Sequence, residues 1–232
     1  MDLDFKEFAV LAVTKLGEEL CVAGVVKNKR WIRPTSFDPG GWRQFRKCDV
    51  FDKNKNPVIA LSNVVILKVL AFIPDSDAPH IEDWEYDPKI KPVLVKTLDD
   101  QGRLKLFKSV CEHSLDPLLE AQERSLCLIE PASIISADFS NRSLTGKYQP
   151  ILGFEFQGKA HFFKVTDIHW RAIGRNFPGQ CLDGKSLRQA LKFEKIFLSI
   201  GLSRKYQGQY WPMVIGVHLI PQFPVSVDYQ NL

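Results

Sequence analysis

Short runs rich in Val, Ile, Leu and Phe, each bounded by Gly, Pro, Asn or Asp, recur through both halves of the chain without alternating one-for-one with helical segments. A parallel α/β sheet requires that alternation, so the pattern points to short, mostly antiparallel strands. FAVLAVTKLGEELCVAGVV reads as a hairpin, and residues 64–73 read as a longer buried strand. In the second half ILGFEFQGKAHFFKVTDI places two alternating runs on either side of Gln157-Gly158, as a hairpin does, and IFLSIGLSR and MVIGVHLI flank the aromatic loop KYQGQYWP. Helical spacing occurs between residues 103 and 124, with a fresh start at Asp116-Pro117, and again weakly around Leu187 and Leu191. PDSDAPHIEDWEYDPKIKP, with its prolines and acids, reads as a surface connection.

The fold expected is mainly β with short helices. Each half supplies about five short strands, the number in a partly open Greek-key barrel of the OB kind. The division expected is a first OB-like barrel over residues 1–102, a helical linker over 103–124 and a second OB-like barrel over 125–232. A single larger β-sandwich-like α+β domain is the alternative.

Several classes are excluded or disfavoured. The longest apolar stretch, 64–73, falls well short of the roughly 20 residues of a membrane helix. The acidic N-terminus MDLDFKEF shows no basic n-region followed by an apolar stretch, so no secretory signal is readable and a cytoplasmic location is expected. Five scattered cysteines do not form a paired framework, and the one close pair of metal-ligand type, Cys111 with His113, is too few for zinc. Neither metal nor cofactor is expected.

Several segments together resemble a known family: CVAGV followed by WIRP, the loop HIEDWEYD, the stretch RSLCLIEP, and FLSIGLSRKYQGQYWPMVIGVHLI, running from Cys21 to Ile220. They are similar to the dual OB-fold domain proteins of bacteria, often found near mobile-element and antiviral defence genes. The resemblance implies two OB barrels, nucleic acid as the ligand class and protein partners in a defence complex. It transfers no catalytic residue.

The charge distribution narrows the site. Residues 27–47 hold seven basic residues against one acidic, 159–210 hold ten against three, and the stretch between 48 and 134 is net acidic. Binding of single strands calls for cations that track the phosphates and aromatic faces on which bases stack. Lys29, Arg30, Trp31, Arg33, Trp42, Arg43 and Arg46 supply that mixture in the first half. Lys164, Trp170, Arg171, Arg175, Arg204, Lys205, Tyr206 and Tyr210 supply it in the second, with Gly208 allowing a tight turn that leaves Arg204 to Tyr210 near a loop tip. Trp211, before Pro212, is expected to pack instead. The reading is a nucleic-acid-binding protein, DNA or RNA, single-stranded favoured, rather than an enzyme.

Two other classes stay open. GQCLDGKS, Gly179 to Ser186, fits the phosphate-cradling pattern GxxxxGKS, with Gly184, Lys185 and Ser186 as its nucleotide-facing residues, and Asp167 with His169 is a possible acid/base pair. A nucleotide-binding sensor or enzyme follows from that set. A protein-tethering module that uses Trp84, Tyr86 and the acidic loop is the third reading.

Overall fold

The computed structural model describes residues 4–38, 41–52, 54, 56–73, 79–140, 146 and 148–227, with the side chains at 4, 16, 38, 41, 42 and 47 outside the description. β1 (Asp4–Leu16) organises the first half. Its early residues pair antiparallel with β6 (Asn63–Phe72) and its later ones with β2 (Glu19–Val26), and the register shifts between Val10 and Ala12. That shift changes the inward phase. Phe8, Val10 and then Val13 join the barrel core, while Ala9, Leu11 and Ala12 face the other half of the molecule. A strand buried on both faces reads as a nearly continuous apolar run, as FAVLAV does.

β2 continues to β3 (Trp31–Asp38), β3 runs parallel to β7 (Asp83–Tyr86), and β7 returns to β6, closing a five-stranded barrel. The short strands β4 (Gly41–Arg43) and β5 (Phe45–Arg46) edge it, and β8 (Val93–Thr97) runs along β6 beyond the end of β7. The barrel therefore closes through HIEDWEYD, a segment the sequence reading places on the surface. His80, Glu82, Asp83 and Tyr86 are all buried, and Tyr86 stacks on Phe45 with ring centroids 4.3 Å apart. Buried acids defeat the usual rule that acidic stretches are solvated, because here each carboxylate has donors waiting for it.

The linker segment forms α1 (Asp100–Val110), β9 (Cys111–Glu112) and α2 (Asp116–Leu119). The Asp99 carboxylate caps α1 by accepting from Gly102 N at 2.8 Å, and Pro117 sits in the first turn of α2, where its missing N–H costs nothing. The second half contains β10 (Leu126–Ile129), β11 (Ser133–Asp138), β12 (Ile151–Phe156), β13 (Lys159–Val165), α3 (Ile168–Gly174), β14 (Cys181–Asp183), α4 (Gly184–Leu191), β15 (Lys195–Leu202) and β16 (Pro212–Ile220). β10 and β11 act as one strand interrupted at Pro131: the first part pairs with β15 and the second with β12, as the two parts of β1 pair with β6 and β2. β13 and β16 are parallel, as β3 and β7 are.

Each sheet wraps its own core, one containing Phe8, Val22 and Leu67 and the other Phe154, Trp170 and Leu198, which fits two barrels and not one sandwich. A third apolar cluster joins them, with Leu11, Val25, Phe107, Leu128, Phe197 and Ile215 packed together. Phe107 of α1 is fully enclosed there, 5.2 Å from the Phe197 ring and 4.7 Å from His218. The linker helix is thus rooted in the seam. Gly216 is required at that seam, since a Cβ on it would stand 2.2 Å from Leu11 O. Ser199 Oγ donates to the same carbonyl at 2.9 Å and lies 3.0 Å from His218 Nε2. Among the described residues, no helix is long and apolar enough to cross a membrane.

Candidate nucleic-acid interface

The turn between β2 and β3 is built locally. Val26 N donates to Arg30 O at 3.0 Å, Lys29 N donates to Val26 O at 2.8 Å, and Lys29 takes a left-handed φ of 66°. The tight closure pushes Lys27, Asn28, Lys29 and Arg30 into solvent. The Arg30 guanidinium lies 5.0 Å from the Phe72 ring and 4.9 Å from the Trp84 ring. Those two rings are register partners on β6 and β7, with centroids 5.6 Å apart. Lys6, Val26, Lys27 and Ile32 complete a groove with Arg30 and Trp84. Neither Lys27 nor Lys29 forms an ion pair with any described residue. A cation over an aromatic pair, flanked by the exposed ammonium groups of Lys27 and Lys29, is a surface suited to a phosphate backbone with its bases stacked alongside.

The fold places the other predicted residues of the first half differently. Trp31 is buried in the seam between the barrels and offers no face to a base. Arg33 is buried, and its Nε donates to Asp83 Oδ1 at 2.6 Å. Both residues are corrected from ligand contacts to structural ones; the burial follows from β3 being covered on both sides. Trp42 sits on β4, and its side chain falls outside the described residues. Arg43 is exposed 3.7 Å from Glu19, and Arg46 is exposed and paired with Asp49 at 2.6 Å, which raises its pKa. These two line a separate groove with Phe37 and Lys89.

In the second half Trp170 is wholly enclosed beside Phe139, with ring centroids 5.4 Å apart, and is likewise corrected to a core residue. Its place follows from α3, whose Ile168, Trp170 and Ile173 form the buried face of a short helix. Arg171 is half-buried and donates to Tyr148 O at 2.9 Å. Lys164 and Arg175 are exposed. The loop between β15 and β16 turns at Gln207 and Gly208, both with positive φ, and leaves Lys205 and Tyr206 in solvent. Arg204, however, donates to Asp83 Oδ2, and Tyr210 stands 5.9 Å from the His80 ring. Trp211, expected to pack, is exposed.

What the tertiary structure unites from the two predicted sets is therefore Arg33 and Arg204, on a buried carboxylate and not on a ligand. The neighbouring Glu82 accepts from Ser125 N at 2.9 Å, Ser125 Oγ at 2.7 Å and Leu126 N at 3.0 Å, and burial raises its pKa against those donors. His80 Nε2 lies 3.3 Å from Leu202 O, and burial, aided by Arg33 and Arg204, lowers the His80 pKa to about 4. The loop that precedes β7 and the loop that follows β15 thus fasten the barrels together.

GQCLDGKS does not form a phosphate cradle. β14 occupies its middle, and the Asp183 carboxylate accepts from Ser186 N at 2.7 Å, filling the helix start that a phosphate needs. Gly184 is there for packing: a Cβ would fall 1.9 Å from Ile134 O. Asp167 is fully buried, caps α3 by accepting from His169 N at 2.8 Å, and accepts from Val217 N at 2.8 Å. It holds strands and helix together and is not presented to a substrate. Tyr86 of the tethering reading is enclosed and Trp84 is half-buried, while residues 74–78 of its acidic loop lie outside the described residues.

The signal for the Arg30 groove was half visible: KNKR is conspicuous, whereas Phe72 and Trp84 become its partners only through the β6–β7 pairing. Compared with known families, the chain matches one described as the dual OB-containing domain over residues 6–217. No curated protein matches it. Among solved structures, the tetrameric p202 HIN2 domain aligns at 12% identity over 93% of this chain and 92% of that one, with a TM-score of 0.32, too low to carry an argument.

Proposed function

This chain belongs to the dual OB-containing domain family, and from that premise we propose that it binds nucleic acid, single-stranded DNA or RNA, through the groove centred on Arg30. The observation that carries the reading is the Arg30 guanidinium lying over Phe72 and Trp84, with Lys27 and Lys29 beside it and in no ion pair with a described residue. Cations contribute salt-sensitive affinity and rings contribute stacking that tolerates any base. The exposed residues Arg43, Arg46, Lys164, Arg175, Lys205 and Tyr206 are secondary contacts in this proposal. The two binding units are taken as residues 1–102 and 125–232, joined by 103–124. A cytoplasmic setting accords with five free cysteines, and a defence or mobile-element role is the one the sequence resemblance implies.

The test is fluorescence anisotropy of the purified protein with labelled single-stranded DNA, single-stranded RNA and duplex DNA at about 50 and about 200 mM salt. Tighter, salt-sensitive binding to a single strand, weakened in Arg30→Ala, is expected. Absence of binding to all three ligands, or binding indifferent to Arg30, overturns the reading.

A further inference from the structure

A second cleft opens on the other side of the β2–β3 turn, between the first barrel and α1. Val25, Val64, Leu98 and Leu106 give it an apolar floor, and Lys27, Lys29, Lys96 and Lys105 stand at its rim. All four lysines are exposed, and none is ion-paired to a described residue. Glu7 is the one acidic residue among the described residues that line it. Four ammonium groups against one carboxylate around an apolar slot concentrate positive potential where solvent is partly excluded, which favours a polyanion carrying flat apolar groups. The cleft shares Val26 and Lys27 with the Arg30 groove, so the two are continuous across the turn.

Resting on the nucleic-acid reading above, we propose that the cleft is the second segment of the path of the same single strand. Phosphates leaving the Arg30 groove pass Lys27 and Lys29 and reach Lys96 and Lys105, while an unstacked base enters the slot against Leu106. α1 is then more than a linker. It forms one wall of a binding track that a lone barrel lacks, and its anchorage through Phe107 and through Arg103, whose Nη2 donates to Leu219 O at 2.7 Å, fixes that wall. A single OB barrel covers about 4–16 nucleotides, and the track accounts for affinity gained toward the long end of that range.

The test uses the full chain and labelled oligo(dT) of about 4, 8, 12 and 16 nucleotides across a salt series. The double variant Lys96→Glu/Lys105→Glu is compared with wild type and with a charge-matched control, Lys185→Glu/Lys192→Glu, on α4 and its end. The inference expects wild type and control to gain affinity with length. The cleft variant loses that gain, keeps its binding to the shortest strand, and shows a salt slope shallower by about 1.4, two contacts at about 0.7 each. Leu106→Asp, which puts a carboxylate against the slot without touching a lysine, loses the same gain. If the cleft variants match wild type in slope and length dependence while binding is intact, the inference is overturned and the cleft serves another anionic partner, such as an acidic peptide. If wild type binds no strand of any length, the underlying reading fails and this one falls with it.

Discussion

Asp83 on β7 of the first barrel receives Arg204 from the second barrel on one carboxylate oxygen and Arg33 from β3 on the other. The carboxylate and Arg33 are buried, whereas the Arg204 side chain is half exposed. Removing one partner of a buried pair leaves the other uncompensated, at roughly 3–5 kcal/mol, whereas an exposed pair contributes about 0–1 kcal/mol. Asp83→Asn therefore lowers the urea midpoint strongly and Arg204→Ala only slightly, since Arg33 still neutralises the carboxylate. Equal midpoints for the two variants contradict this assignment.

Acid sensitivity follows from two buried imidazoles. Burial, with Arg103 adding to it, lowers the His218 pKa to about 3, and His80 is held at about 4. In the unfolded chain each titrates near 6.5, so below that pH the unfolded state binds more protons. Stability is complete above about pH 6.5 and declines on acidification toward the folded values, by at most about 1.4 kcal/mol per pH unit for each group. Urea midpoints from about pH 7.5 to 5 show the decline, and His218→Gln flattens it. A midpoint that rises on acidification contradicts the assignment.

The Gly-rich segment separates packing from phosphate binding. Gly184→Ala forces α4 away from Ile134 O, a strain of about 1–3 kcal/mol, and lowers the thermal midpoint. Lys185→Ala leaves that midpoint and the affinity for oligonucleotides unchanged, and isothermal titration with a nucleoside triphosphate shows no heat for either protein. Measurable heat lost in Lys185→Ala restores the nucleotide reading.

Phe72 divides stability from binding. Its ring is 41% exposed, so Phe72→Ala moves the urea midpoint little. Loss of a stacking face costs about 1–3 kcal/mol of affinity for a single strand, and anisotropy at fixed salt reads it directly. A Phe72→Ala protein that binds as wild type removes base stacking from the groove.

Trp170 and Tyr206 exchange the roles that composition suggests. Trp170→Ala empties a closed core site and costs roughly 3–5 kcal/mol in urea denaturation. Tyr206→Ala, on the exposed tip of the β15–β16 loop, leaves the midpoint in place and is judged by oligonucleotide affinity alone. A folded, stable Trp170→Ala protein contradicts the core placement.

The hairpins at Gln157-Gly158 and Gln207-Gly208, the helix start at Asp116-Pro117 and the apolar hairpin of β1 and β2 were legible because each depends on neighbours along the chain. β7 was not. Four residues beginning with an aspartate carry no periodic signal, and the burial of Asp83 and the adjoining Glu82 depends on donors at Arg33, Arg204 and Ser125, which lie far away in sequence. Trp31 and Trp170 were misplaced for a related reason: an aromatic beside arginines looks the same whether its face meets solvent or a second layer of protein.

The sequence by itself determined the strand-rich class, the turns, two barrels and the excess of cations in residues 27–47 and 159–210, since backbone preference, apolar periodicity and charge are local properties. The tertiary structure decided which cations stay available. The β3–β7 register sets Arg33 beside Asp83 and the packing of the barrels adds Arg204, because a buried carboxylate must be neutralised, while Lys27, Lys29, Lys96 and Lys105, where α1 meets the first barrel, form no ion pair with a described residue.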